Sequence, residues 1–114
     1  MEEKIVKIKM KGEEREFFLV PSFRNLKRMQ ARLNGERFFA TANRLIRMDY
    51  GPSDIVDIMY SLIDQDEKVK YDDFSEGVMK QGFNTFTKTI TQLFTEIIQQ
   101  GQEESEEGDG EEKN

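Results

Sequence analysis

The amino-acid sequence predicts a mostly helical α+β fold: one N-terminal β-hairpin followed by four to five helices. Three observations carry this expectation. Strand-like apolar residues flank a glycine turn within the first twenty positions. Beyond residue 22, apolar residues recur in steps of three and four. The helical runs are punctuated by Asn34-Gly35 and by Tyr50-Gly51-Pro52. At 114 residues the chain has room for one domain with a modest core. Residues 1–101 are read as that domain and residues 102–114 as a disordered acidic tail.

The hairpin is placed over Lys4 to Val20. Ile5, Val6, Ile8 and Met10 precede Lys11-Gly12-Glu13-Glu14, and Phe17, Phe18, Leu19 and Val20 follow. Alternation through Lys7-Ile8-Lys9-Met10-Lys11 sets Ile8 and Met10 on one face, and Gly12 supplies the turn. Pro21 lacks the N–H a ladder needs, and Ser22 is a helix cap. Phe23, Leu26, Met29 or Gln30, and Leu33 form the stripe of a first helix, stopped by Asn34-Gly35. Phe38, Phe39, Ala42, Leu45 and Ile46 form a second. A third runs from Ser53 through Ile55, Ile58, Met59 and Leu62, and a short fourth spans Tyr71 to Met79. Phe83, Phe86, Ile90, Leu93, Phe94, Ile97 and Ile98 mark the last, although its five threonines lower helix propensity.

Composition narrows the chemistry. The chain has no cysteine and no histidine. Thiolate and imidazole metal sites, disulfides and His-assisted or cysteine nucleophilic catalysis therefore fall away. Asp72-Asp73 and Asp64/Asp66 are paired carboxylates, but no pattern around them suggests a pocket that would split their pKa values. No glycine-rich phosphate loop is present. The expected protein is not an enzyme and carries no cofactor. The opening MEEKIVKIKMK lacks a signal-peptide apolar run, and no stretch approaches the ~20 apolar residues of a membrane span.

The segment SLIDQDEKVKYDDFSEGV resembles the middle of an EF-hand but fails its ligand requirements. Counted from Asp64, Lys68 falls at position five, Val69 at the glycine position and Ser75 at twelve. Counted back from Asp73, Leu62 falls at position one. The segment is read as a solvated acidic turn, with Asp72 and Asp73 favourable at a helix N-terminus.

Charge is segregated along the chain. Residues 22–48 carry +6, residues 49–80 carry -6, and residues 102–114 carry another -6. Arg24, Lys27, Arg28 and Arg32 form a basic stripe on the first helix, with Arg37, Arg44 and Arg47 beyond it. These four are the candidate partner-binding residues. Two uses are open: tracking phosphates as a small nucleic-acid-binding regulator, or pairing with acidic protein surface, within one chain or between copies. The whole domain is not basic as phosphate binders are, which favours the second.

The order of parts resembles a known family. A hairpin, IKMKGEEREFFLV, leads into FRNLKRMQARLNG; a Pro-Ser-Asp-Ile-Val-Asp-Ile-Met-Tyr helix follows, and then an amphipathic helix with an acidic tail. Over about residues 4–100 this is similar to the tail assembly chaperones of long-tailed bacteriophages and prophages, particularly of Gram-positive hosts. The resemblance implies a non-catalytic, self-associating protein in the cytoplasm of a bacterial host. It implies the tape measure protein and the tail-tube protein as partners and supplies no binding residues. Nine phenylalanines and the methionines Met10, Met29, Met48, Met59 and Met79 are either core or adaptable contact surface.

Overall fold

The structure, a computed structural model, describes residues 4–63 and 69–112, with side chains described as far as Gln100. The order is hairpin first, helices after, so the α+β arrangement is observed. Strand β1 (Lys4–Met10) pairs antiparallel with β2 (Glu13–Leu19), with Val6 opposite Phe17 and Ile8 opposite Arg15. Lys11 and Gly12 make the two-residue turn, with φ of 51° and 84°. Positive φ at both positions matches the right-handed twist of the strands. Val6, Ile8, Met10, Phe17 and Leu19 point into the core.

Helix α4 (Tyr71–Gln81) lies across this inner face. A glycine lets it come close: a Cβ on Gly77 would stand 2.8 Å from the Ile8 Cγ2 and 3.0 Å from the Lys9 carbonyl oxygen. Phe74 packs edge-on against Phe17 with ring centroids 5.4 Å apart. The Gln81 amide extends the contact along the free edge of β1. Its Nε2 donates to the Lys7 carbonyl at 2.8 Å, and its Oε1 accepts from the Lys9 N–H at 3.2 Å. A side chain thus takes two places a third strand would fill. On the other edge, the Val20 N–H donates to the Leu62 carbonyl at 2.7 Å.

Helix α1 (Phe23–Arg32) starts where Ser22 Oγ accepts from the Asn25 N–H at 3.1 Å. It ends at Asn34 and Gly35, both at positive φ, where the Gly35 N–H donates to the Gln30 carbonyl. Helix α3 (Pro52–Leu62) packs beside α1 and buries Ile55, Val56, Ile58, Met59 and Leu62. Helix α2 (Phe38–Ile46) packs on α5 (Thr87–Glu112), with Phe38 and Phe94 centroids 4.8 Å apart.

The structure refines three expectations. Phe83–Phe86 forms a 3-10 turn before α5 rather than its first turn, because Gly82 at φ 95° ends α4 immediately upstream. The α2 stripe is rotated: Thr41, Ala42 and Leu45 are buried, while Phe39 and Ile46 face outward. The α1 stripe loses Phe23 to solvent and gains Asn25. The helical backbone of α5 runs to Glu112. Lys113 and Asn114 lie outside the described residues, as do Asp64 and Asp66 of the acidic turn. No described helix is long and apolar enough to cross a membrane.

Candidate functional site

The four basic residues read from the sequence sit on one helix but do different work. Arg32 is taken up by the fold. Its guanidinium carbon lies 4.7 Å from the Tyr60 ring centroid and 5.4 Å from that of Tyr71. Those rings belong to α3 and α4, so two cation–aromatic contacts of one guanidinium tie three helices. Tyr71 donates in turn to the Asp57 carboxylate, which pushes its phenol up to about 12. Arg28 donates to the Asn25 Oδ1 at 3.3 Å, and Asn25 Nδ2 donates to the Val20 carbonyl at 2.8 Å. Arg28 is thereby drawn to the strand–helix junction. Arg24 and Lys27 are exposed.

The acidic complement of the α1–α2 segment is consumed internally. Glu36, the one acid between residues 22 and 48, is gripped by Arg44 through two hydrogen bonds of 2.7 Å. Thr41 donates to the same carboxylate at 2.7 Å. Arg44 also donates to Asp54 at 3.1 and 3.3 Å, joining the α1–α2 loop, α2 and α3. The Arg44 hydrogen bond holds Glu36 below the usual carboxylate range. Burial pushes Asp54 up, but Arg44 and the Gly51 N–H outweigh it, and the net shift is downward. With Glu36 and Arg44 neutralising each other, the exposed charged residues of this segment are all basic: Arg24, Lys27, Arg32, Arg37 and Arg47.

Among these cations stand large apolar side chains that the core does not use. Phe23 is 79% exposed, Phe39 66%, Ile46 66% and Met48 78%. Phe39 and Ile46, seven residues apart, share the outer face of α2. Phe39 meets Phe38 edge-on at 5.6 Å. Phe23, Leu26, Lys27, Ala31, Gly35 and Phe38 line one open groove of about 490 Å³. The Lys27 ammonium rests 5.9 Å from the Phe23 ring centroid. Phe23, Phe38 and Phe39 thus stand at or beside the groove with Lys27 against Phe23. Such a surface binds by burying apolar area while its rim selects partner charge.

Sequence reasoning found the cations but assigned Phe23, Phe39 and Ile46 to the helices' inner stripes. The signal that could have separated them is the polar residue each helix buries instead. Asn25 and Thr41 both occupy inward positions where their side chains bond the backbone. Of the nine phenylalanines, Phe18, Phe23 and Phe39 are exposed. Met10, Met29 and Met59 are core, whereas Met48 and Met79 are exposed. Among the described residues no group of three or more acidic side chains is placed to hold a metal ion. Comparison with protein-family models, with curated proteins and with solved structures returns no match.

Proposed function

We propose that this chain is a non-catalytic assembly protein that works by binding protein, and specifically a tail assembly chaperone of a long-tailed bacteriophage or prophage. The observation that carries the binding reading is the exposed aromatic surface of α1 and α2. Four large apolar side chains stand 66% or more exposed on a chain in which 35% of residues are charged. Keeping such a surface in water is unfavourable unless a partner covers it. The phage assignment comes from the similarity in element order set out in the sequence. On this reading the client is the tape measure protein, with the tail-tube protein as second partner, and the chaperone self-associates.

The test is co-expression with the tape measure protein of the same genome, followed by affinity capture and light scattering. Recovery of a soluble complex, with the client insoluble when expressed alone, supports the reading. A client equally soluble without this chain, together with a chain that stays monomeric at micromolar concentration, overturns it.

A further inference from the structure

We infer that the groove between α1 and the start of α2 is a receptor for one kind of segment: an amphipathic α-helix whose apolar stripe is bordered by carboxylates. The inference rests on the reading that this chain works by binding protein, and not on the identity of the client.

The secondary structure of the occupant follows from the walls. The groove is lined by side chains of α1, the α1–α2 turn and the first residue of α2. Helical walls have satisfied their own backbone groups and offer no free ladder of N–H and C=O. An extended segment laid there would gain no backbone hydrogen bonds from these walls. A helix arrives with its backbone bonds made and presents side chains alone. Phe23, Leu26, Ala31 and Phe38 then meet apolar residues at i, i+3, i+4 and i+7 of the guest.

The charge of the occupant follows from the border. Lys27 lines the groove, Arg24 is exposed on α1, Arg37 on the turn before α2, and Arg47 just past the end of α2. The nearest acid in sequence, Glu36, is already bound by Arg44 and Thr41. A basic guest helix would meet like charge on the border, whereas an acidic one is attracted and oriented. A nucleic acid is a weaker candidate. Its phosphates would suit the arginines and its bases could stack on Phe23 or Phe38, but the chain as a whole carries -6, which repels a polyanion.

The experiment titrates the full chain into three fluorescent peptides of about four helical turns. One has leucines at i, i+3, i+4 and i+7 with glutamates beside them, the second carries lysines in place of the glutamates, and the third scrambles the leucine spacing. A single-stranded RNA oligonucleotide is titrated in parallel. The expected result is saturable binding of the glutamate peptide, at least about tenfold tighter than either control peptide or the RNA. Phe23→Ser and the double change Arg24→Glu with Lys27→Glu should each weaken it about tenfold. All three positions are exposed, so circular dichroism should show an unchanged fold; Phe39→Ser supplies a second variant on the same surface. Equal binding of the lysine peptide overturns the charge assignment. Preference for RNA overturns the protein assignment. A self-dimer that dissociates on Phe23→Ser, with no peptide bound, hands the groove to a second copy and overturns the proposal. If the tape measure complex forms but the glutamate peptide does not bind, this inference fails and the chaperone reading stands. If the peptide binds and no such complex forms, the reverse holds.

Discussion

Arg44 shows how a single residue decides which charges reach the surface. Its five donors are matched to Glu36, Asp54 and the Asp49 carbonyl, so two half-buried carboxylates are held apart by one guanidinium. Arg44→Met should lower stability by about 2 kcal/mol at neutral pH, since two carboxylates would then face each other without a cation. Thermal melts across pH check the cause. Glu36 and Asp54 both have folded pKa values below their unfolded ones. Their stabilisation is therefore complete above about pH 5 and is lost as pH falls through the folded values. The wild type should lose stability on acidification below that point more steeply than Arg44→Met, and parallel curves would refute the assignment. Tyr71 has the opposite sign. Its pKa is raised to about 12, chiefly by donation to Asp57. That contribution is whole below about pH 10 and fades as pH rises toward the folded value. Tyr71→Phe should cost about 1 kcal/mol at pH 7. The gap between variant and wild type should close above pH 10, in urea melts read by circular dichroism.

At the scale of elements, the contact between α4 and the hairpin is the least forgiving. Gly77→Ala should destabilise by about 1–3 kcal/mol, because the added Cβ meets the Ile8 side chain and the Lys9 backbone, which cannot both move away. The helix-propensity gain of about 1 kcal/mol only partly offsets this. A midpoint in urea equal to or above wild type would show that β1 yields instead. Much of this architecture could be read in the residues. The hairpin was visible in Lys7-Ile8-Lys9-Met10-Lys11 and Gly12, and the cap of α1 in Pro21-Ser22, since these depend on local backbone preferences. What could not be read was the rotation of α1 and α2. A stripe containing Phe23, or Phe39 with Ile46, satisfies helical spacing as well as the stripe that is buried. The choice is made by Asn25 bonding the Val20 carbonyl and by Thr41 bonding Glu36, contacts with elements a periodicity does not see. The basic residues of the candidate site were legible for the same reason that their roles were not. Charge is written in the sequence, whereas the two tyrosine rings under Arg32 come from α3 and α4.

For the molecule as a whole, the alternation of +6 and -6 segments along the chain resolves into two populations of charge. One is internal and short-range. Arg44 with Glu36 and Asp54, and Arg32 over Tyr60 and Tyr71, fix α1, α2, α3 and α4 to one another. The other is external: Lys27 rests beside the exposed Phe23 ring, and Arg24, Arg37 and Arg47 are exposed near Phe23, Phe39, Ile46 and Met48 in the sequence. Salt should separate them. Contacts near 3 Å that are half-buried are screened little, whereas attraction across an open rim operates near the Debye length of about 10 Å at 0.1 M. Raising sodium chloride from about 50 to about 500 mM should therefore weaken binding of an acidic helical peptide several-fold while the melting temperature stays nearly constant. Parallel loss of both would mean that the same charges serve fold and partner. Binding that is insensitive to salt, yet abolished by Phe23→Ser, would leave the aromatic surface as the sole determinant and remove the cationic rim from the account of specificity.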